Sequence, residues 1–419
     1  MSLTSLQSAL GLVVIVAMAW ALSERRAAFS LRQVAVGIGL QIGIALLLLK
    51  LPVARAGLLA LNDAVDALTE ATRAGTGFVF GYLGGGPAPF EIKDPANAFV
   101  LGFQALPLVL VMSALSALLW HWRVLPAITR GFAFLLQKSM GIGGAVGLAS
   151  ASTMFVGMVE APLLIRPYLE RLTRAELFMM MSVGLASVSG TVLVLYASVL
   201  DAVVPGALGQ ILIASLISLP AGITLARLMV PEEKGFAGTG VAGDQPLVDY
   251  ESSMDAVTRG TVDGLHLLLN ILAMLVVMVA LVALVNIMLG ALPDLWGAPL
   301  TLQRMLGWAF SPLVWLMGVP AAEMQTAGQL MGTKTILNEF LAYIELAQLP
   351  PGTLSPRSAL IMVYAMCGFA NLGSVGILIG GLTALAPARR SDIVALGTRA
   401  IVSGTLATSM TGAVIGLIT

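Results

Sequence analysis

The sequence predicts an all-α polytopic membrane protein with about eight transmembrane helices and two re-entrant hairpins in an inverted repeat. Three observations carry this prediction: the composition, the long apolar stretches, and two apolar segments interrupted by helix breakers and ionisable residues. Of the 419 residues, 58% are hydrophobic and 11% are charged, and the mean hydropathy is +0.95. Soluble domains carry about 25% charged residues, so a soluble fold is excluded.

The composition also excludes several classes of partner and site. The 22 basic and 22 acidic residues cancel, so nucleic acid is not an expected partner. Cys367 is the only cysteine, which excludes an internal disulfide framework and a multi-thiolate metal site. His121 and His266 are far apart in sequence, and a histidine-based metal site is not expected.

Eight stretches are apolar and long enough to cross a bilayer, which needs about 20 residues. They cover residues 6–22, 34–51, 99–120, 177–200, 208–230, 265–292, 359–386 and 401–418. No Lys or Arg precedes the first stretch, so we do not expect a cleaved signal peptide. With the N-terminus outside, 15 of the 22 Lys and Arg residues fall on the cytoplasmic side. Both termini are therefore predicted to lie outside.

Three further segments are not expected to cross the membrane. Residues 56–73 and 125–138 repeat apolar side chains at helical spacing opposite polar ones, which is typical of helices on a membrane surface. Residues 231–263 are hydrophilic and are predicted to form a cytoplasmic linker. The linker would follow the N-terminal helices of residues 1–140 and a first repeat of residues 141–230. A second repeat would follow the linker, over residues 264–419.

Two apolar segments are too interrupted to be plain transmembrane helices. Residues 150–172 contain Glu160 with a glycine and two prolines, and residues 319–349 contain Lys334 and Glu339 with two glycines. Helix breakers and charges are tolerated at membrane depth only where backbone lines a cavity or is buried in protein. We therefore predict two re-entrant hairpins with their tips near the midplane.

A short sequence echo follows each predicted hairpin. GLASVSG covers residues 184–190, GFANLGS covers residues 368–374, and both place small and polar residues inside a predicted span. The echo keeps nearly the same register as Glu160 and Glu339. An odd number of crossings separates the two halves, so the hairpins would enter from opposite sides. This is the inverted-repeat pattern of a secondary transporter, in which substrate binds where interrupted helices meet.

The order and spacing of four motifs resemble those of the concentrative nucleoside transporters over nearly the whole chain. The motifs are GFVFG at 77–81, EAPL from Glu160, NEF at 338–340 and CGFAN at 367–371. The resemblance implies a homotrimer. It also implies a scaffold, assigned to residues 1–140, and a transport domain of the hairpins and their partner helices, which moves as an elevator driven by a cation gradient. The absence of an expected cleaved signal and the arginines on the cytoplasmic side fit the lipid bilayer of an inner or plasma membrane.

The resemblance also implies a substrate site. Glu339, Asn371 and Ser374 stand where the family hydrogen-bonds sugar hydroxyls. Phe369 stands where the family packs on the nucleoside, and Glu160 matches the glutamate of the first hairpin. The predicted function is a cation-coupled symporter that imports nucleosides or related ribosyl compounds.

The base end of the implied site departs from the family. The usual Gln-Thr before the first-hairpin glutamate is replaced by Met158 and Val159, which are both apolar. A site that pairs a polar group rejects analogues lacking that group, so the loss of both polar side chains predicts an altered or relaxed base preference.

The cation site implied by the resemblance also departs at one position. Val156, Ser187 and Val188 match the family, whereas Thr153 replaces the usual asparagine. A hydroxyl and backbone carbonyls can still ligate a hard cation, so Na⁺ is the predicted coupling ion. Proton coupling is the alternative, because a glutamate inside the membrane can carry a proton.

Other interpretations stay open at this point. Glu160 and Glu339 could be structural, although the cost of a carboxylate in a membrane favours function. Lys334 either balances a carboxylate or caps its hairpin. Small polar side chains can join helices instead of binding substrate, which applies to Asn371, Ser374 and Ser187.

One alternative function is a carrier with a different substrate, and two others, a channel and an enzyme, are not carriers. The same architecture could move a nucleobase, a modified nucleoside or another small polar solute. A passive channel is disfavoured by two hairpins entering from opposite sides. A membrane enzyme is disfavoured because the sequence has no HExxH, no GxSxG and no paired aspartates in its spans.

Overall fold

The computed structural model describes residues 3–91, 99–201, 203–232, 239, 250–295 and 297–419. Within these residues the regular elements are helices, apart from an isolated bridge between Leu295 and Ala298. Residues 233–238 and 240–249 of the predicted linker lie outside the described residues. The all-helical fold expected from the sequence is therefore present.

Among the described residues, six α-helices precede the first predicted hairpin. They are α1 (Leu3–Ala21), α2 (Leu31–Lys50), α3 (Pro52–Phe80), α4 (Leu101–Gln104), α5 (Leu108–His121) and α6 (Val124–Met140). Ser30 caps α2 by accepting a hydrogen bond from the Gln33 amide, and Pro52 starts α3, where a missing amide hydrogen costs nothing. The predicted surface helices lie within α3 and α6, although the side chains of Leu58, Leu61 and Val65 are outside the described set.

Two interrupted units and one long helix follow in the first half. They are α7 (Gly144–Val156), α8 (Glu160–Leu163), α9 (Arg174–Ala186), α10 (Gly190–Leu200) and α11 (Ala207–Met229). A Thr173–Glu176 capping box starts α9, with each side chain accepting from the other residue's backbone amide. The first predicted hairpin is a helix, a break and a short helix.

The part of the second half that the structure describes contains seven α-helices. They are α12 (Ser253–Leu289), α13 (Leu302–Leu316), α14 (Met324–Ile336), α15 (Glu339–Gln348), α16 (Pro356–Met366), α17 (Leu372–Leu385) and α18 (Arg390–Ile418). The second predicted hairpin is formed by α14 and α15. Helix α13, which has 15 residues and packs along α14, was not predicted from the sequence.

The order of elements from α5 to α11 recurs from α12 to α18. In each series a leading helix is followed by a helix packed on the hairpin, then the hairpin, an interrupted helix and a final helix. The leading helices α5 and α12 pack on each other, and so do the final helices α11 and α18. This mutual packing of equivalent helices is the arrangement expected of an internal repeat.

Among the described residues, seven helical segments are long and apolar enough to cross a membrane. They are Thr4–Ala21, Leu31–Lys50, Leu101–His121, Arg174–Leu200, Ala207–Met229, Ser253–Leu289 and Pro387–Ile418. The predicted span 359–386 is divided between α16 and α17, because residues 367–371 are not helical. The count of eight spans stays a prediction.

The core is formed by α9, α11 and α18, which pack on one another. In each of the segments Arg174–Leu200 and Ala207–Met229, 89% of the most apolar stretch is buried inside the protein. The corresponding share in Ser253–Leu289 is 17%. Helices α1 and α2 pack on α18 and α11. The division of the chain at residues 140, 230 and 263 stays a prediction. Which elements move and which stay still is a prediction that the packing does not test.

Candidate substrate and cation site

The tip of the first hairpin depends on a glycine. Helix α7 ends at Val156, and Gly157 follows with φ +107° and ψ 170°, a conformation found almost only in glycine. A Cβ on Gly157 would lie 2.6 Å from Oε2 of Glu160. The chain can therefore reverse here and start α8 at Glu160 only because residue 157 has no side chain.

The tip of the second hairpin uses an asparagine cap. Helix α14 ends at Ile336, and Oδ1 of Asn338 accepts a 2.9 Å hydrogen bond from the amide of Leu341. Glu339 is therefore the first residue of α15, where the positive end of the helix dipole favours a carboxylate. The two glutamates singled out in the sequence both follow directly after a hairpin break.

The two sequence echoes coincide with the breaks in the two interrupted helices. Helix α9 ends at Ala186, and residues 187–189 are non-helical before α10 begins. In the second half, Asn371 caps α17, its Oδ1 accepting from the amide of Ser374 at 2.7 Å. The breaks touch, because the amide of Phe369 donates to the carbonyl of Ser187 at 3.3 Å.

Glu339 is held in a buried hydrogen-bond network. The hydroxyl of Tyr196 donates to Oε1 of Glu339 at 2.6 Å, and Nδ2 of Asn371 donates to Oε2 at 3.1 Å. Glu339 is 3% exposed and Asn371 is 1% exposed. Because each carboxylate oxygen has two lone pairs, both oxygens can still accept a hydrogen bond from a ligand hydroxyl.

Tyr196 was not predicted as a site residue. Its ring stacks on Phe340 with centroids 5.7 Å apart and lies 5.4 Å from the ring of Tyr343. The hydroxyl of Tyr343 in turn donates to the carbonyl of Val363 at 2.9 Å. The ring contacts with Phe340 and Tyr343 fix the Tyr196 hydroxyl against Glu339, so the carboxylate is oriented before any ligand arrives.

The other residues predicted to contact the nucleoside, Ser374 at the sugar and Phe369 as a packing partner, lie at the same break. Phe369 is half-buried between the two breaks, and Ser374 is buried in the first turn of α17. The structure therefore brings Glu339, Asn371, Ser374 and Phe369 together, from α15 and the break before α17.

The predicted base end is apolar and packed. Met158 is buried and faces α9, where a Cβ added to Gly184 would lie 3.1 Å from Cβ of Met158. Val159 faces α17, where a Cβ on Gly381 would lie 2.9 Å from its Cγ1. Glu160 is exposed, unlike Glu339. The first hairpin tip thus presents one accessible carboxylate beside two apolar side chains.

The predicted cation ligands lie at the end of α7 and in the break after α9. The hydroxyl of Thr153 donates to the carbonyl of Ala149 at 2.9 Å, and that of Ser187 donates to the carbonyl of Val183 at 3.0 Å. Both hydroxyl oxygens therefore keep lone pairs for a cation. Thr153, Ser187 and Val188 are all buried, and Val156 is half-buried.

The two segments of this predicted cation site are close in space. A Cβ on Gly190 would lie 3.3 Å from the carbonyl oxygen of Phe155. A Cβ on Gly157 would lie 3.5 Å from Cβ of Ser189. Among the described residues, no group of three or more His, Cys, Asp or Glu side chains could hold a metal ion. Backbone carbonyls and hydroxyls are therefore the oxygen donors available at this position.

Comparison with known proteins identifies the family. The nucleoside permease NupC of Helicobacter pylori is 33% identical over 423 residues, covering 100% of this chain and 98% of the permease. The chain belongs to the concentrative nucleoside transporter family. Three family descriptions match in chain order: Na⁺ dependent nucleoside transporter N-terminus over 10–83, nucleoside recognition over 102–203, and Na⁺ dependent nucleoside transporter C-terminus over 210–416.

Mammalian and structural relatives agree with this assignment. The rabbit sodium/nucleoside cotransporter 1 is 32% identical over 427 residues, covering 97% of this chain and 62% of the cotransporter. The structure of CNTnw in an inward-facing substrate-bound state is 36% identical with a TM-score of 0.89, covering 100% of both chains. The resemblance inferred from the four motifs is confirmed, and so is the assignment to a polytopic transporter instead of an enzyme.

Proposed function

We propose that this family member is a Na⁺-coupled symporter that imports nucleosides or related ribosyl compounds. The observation that carries the proposal is the buried network of Glu339, Tyr196 and Asn371. A carboxylate that is fixed by two donors and keeps free lone pairs suits the adjacent 2′- and 3′-hydroxyls of a ribose. Ser374 and Phe369 at the same break would complete the polar and apolar contacts to the nucleoside.

The base is expected to be read less strictly than the sugar. Met158 and Val159 offer no hydrogen bond to a polar base edge, and both are packed against neighbouring helices. A site without polar partners for a group discriminates weakly against analogues that lack it. Glu160 is the accessible polar side chain of this hairpin tip and would accept hydrogen bonds from the substrate.

Na⁺ is favoured over H⁺ as the coupling ion by the geometry around Thr153. The buried hydroxyls of Thr153 and Ser187 lie where the end of α7 meets the break after α9. Carbonyl and hydroxyl oxygens are the ligands that hard cations prefer. The relatives described as Na⁺ dependent support the same choice.

The assembly and orientation complete the proposal. The protein would form a homotrimer in an inner or plasma membrane, with both termini outside and the hairpins entering from opposite faces. Substrate and cation would cross together with an elevator motion of the hairpin-bearing part. The similarity to CNTnw, whose structures include inward-facing and outward-facing states, supports the motion. The distribution of Lys and Arg residues supports the orientation.

Uptake into liposomes tests the proposed function. Purified protein is reconstituted, and a panel of radiolabelled nucleosides and nucleobases is offered under a Na⁺ gradient, a H⁺ gradient, or neither. We expect ribonucleosides to accumulate above the external concentration with the Na⁺ gradient only. Analogues lacking the 2′- or 3′-hydroxyl should accumulate poorly, because Glu339 and Asn371 lose a partner.

Each other outcome of the panel would point elsewhere. Accumulation under the H⁺ gradient alone would reject Na⁺ coupling. Uptake that equilibrates but never concentrates would indicate a channel. Accumulation of nucleobases, or of modified nucleosides alone, would keep the carrier and change its cargo. A strong preference for uridine over all other nucleosides would contradict the relaxed base preference.

A further inference from the structure

Lys334 is a charged side chain in the core of the second repeat. It lies in the last turn of α14, and its side chain is 0% exposed. Nζ of Lys334 donates to Oγ1 of Thr408 on α18 at 2.9 Å, and the Thr408 hydroxyl donates to the carbonyl of Thr405 at 3.2 Å. A buried ammonium is costly unless nearby negative charge compensates it.

Thr408 places this ammonium beside the breaks of both interrupted helices. A Cβ on Gly368 would lie 2.6 Å from Cγ2 of Thr408 and 2.8 Å from the carbonyl oxygen of Ala186. Gly368 belongs to the break before α17, in which Nδ2 of Asn371 donates to the Glu339 carboxylate at 3.1 Å. The ammonium therefore lies close to the carbonyl ends of half-helices, where the dipole is negative.

The first repeat has a site at the equivalent place. There α7 packs on α9, and the predicted cation ligands come from the end of α7 and the break after α9. In the second repeat α14 packs on α16 in the same way. With Glu160 and Glu339 aligned, Thr153 and Val156 correspond to Gly332 and Thr335, and Lys334 lies between these two.

We propose that Lys334 is a tethered cation of the second repeat. Its ammonium supplies, where α14, α16 and α18 meet, the positive charge that a free coupling cation supplies in the first repeat. One repeat therefore exchanges its cation during transport, and the other keeps a permanent one that holds the Glu339 carboxylate and the break before α17 in place. Lys334 is thus a positioning residue for substrate binding.

Chemical rescue tests this proposal with two readouts, nucleoside affinity and thermal unfolding. The first readout rests on the proposed function, because it requires that the protein binds nucleosides. Lys334→Ala removes the ammonium and leaves room for propylammonium, which restores the missing atoms. Nucleoside affinity is measured by calorimetry on the purified protein in Na⁺, with propylammonium or with propanol as the uncharged probe. We expect Lys334→Ala to lose about ten- to hundredfold in affinity. Propylammonium should restore most of that loss, and propanol none.

Two further variants separate charge from volume. Lys334→Met fills the space without a charge, and we expect it to lose affinity in the same way and to gain nothing from propylammonium. Lys334→Gln keeps a donor for Thr408 and provides a second neutral variant should Lys334→Ala fail to fold. Parent-like affinity of Lys334→Met or Lys334→Gln would overturn the proposal. Equal rescue of Lys334→Ala by propanol would overturn it too.

The second readout needs no nucleoside. Propylammonium should raise the thermal unfolding midpoint of Lys334→Ala, while leaving the midpoints of the parent and Lys334→Met unchanged. A rise of the same size in all three proteins would contradict a specific cation place. If the parent binds no nucleoside, the proposed function fails, but this unfolding comparison still decides the role of Lys334.

Discussion

The two hairpin tips occupy equivalent places in the two repeats, yet they hold their glutamates differently. Glu339 is buried, follows an asparagine cap, and receives hydrogen bonds from Tyr196 and Asn371. Glu160 is exposed and follows a break whose Gly157 has a backbone conformation open only to glycine. An internal repeat has thus produced one fixed carboxylate and one accessible carboxylate from the same order of elements.

This difference predicts a division of labour between the repeats. A buried carboxylate held by two donors is rigid and recognises one arrangement of ligand hydroxyls, because any mismatch leaves a polar group unpaired. An exposed carboxylate between apolar neighbours can accept different partners or water. We therefore expect sugar recognition to be strict and base recognition to be tolerant.

Glu339→Gln should have the largest effect of the changes considered. Glutamine keeps the volume, but its amide nitrogen cannot accept from Tyr196 or Asn371, and the charge is lost. Nucleoside affinity should fall by about 1–3 kcal/mol. Calorimetric titration of the purified variant measures this loss.

Two matched variants sharpen this comparison. Glu345→Gln makes the same change on α15 at a half-buried residue outside the Tyr196 and Asn371 network, and it should leave affinity near that of the parent. Glu160→Gln should cost less than Glu339→Gln. Equal losses at Glu160 and Glu339 would remove the distinction between a fixed and an accessible carboxylate.

The breaks could be predicted from the sequence because their causes are local. A glycine beside ionisable residues in an apolar run, as at Gly157 and Glu160, marks a place where a helix cannot continue. The small and polar residues at 184–190 and 368–374 marked the breaks in α9–α10 and α16–α17 in the same way. Caps, breakers and their spacing therefore gave the order of the elements.

Tyr196 and α13 could not be predicted because their roles depend on distant partners. A tyrosine in an apolar run has the pattern of any packed aromatic, and its partner Glu339 is 143 residues away. Helix α13 has 15 residues, too few to read as a span, and its place comes from packing on α14. The pairing of α5 with α12 is equally invisible to local patterns.

Gly157→Ala should have the next largest effect. Alanine at φ +107° and ψ 170° is strained, and its Cβ would meet the Glu160 carboxylate at 2.6 Å. We expect a loss of about 2 kcal/mol in unfolding free energy, together with weaker nucleoside binding. Denaturant unfolding and calorimetry measure the two effects.

Gly141→Ala is the matched control for this glycine. Gly141 also has positive φ, at +61°, but a Cβ there would meet nothing within 4 Å. It should lose about 1 kcal/mol of stability from backbone strain alone and keep its nucleoside affinity. If both variants bind normally, the position of Glu160 does not depend on the glycine.

Tyr196→Phe should have a smaller effect than either change above. It removes one hydroxyl from the Glu339 network and keeps the ring against Phe340, so affinity should fall by about 1 kcal/mol. Tyr343→Phe is the control, because its hydroxyl bonds the Val363 carbonyl and not the carboxylate. Combining Tyr196→Phe with Glu339→Gln should give less than the sum of the single losses, as a shared network requires. Strict additivity in calorimetry would contradict the network.

Val159→Thr should have the smallest effect and acts on selectivity. The substitution is nearly isosteric and adds a hydroxyl at the tolerant end of the site, where Val159 faces α17 near Gly381. A hydroxyl that pairs a polar base edge should favour some nucleosides over others by about 0.5–1.5 kcal/mol, while an abasic ribosyl analogue gains nothing. Competition binding with a nucleoside panel measures the ranking. Val159→Ala is the control, because it loosens packing without adding a donor and should change the affinities of all nucleosides alike. If both variants change the ranking of nucleosides in the same way, packing and not hydrogen bonding sets base preference.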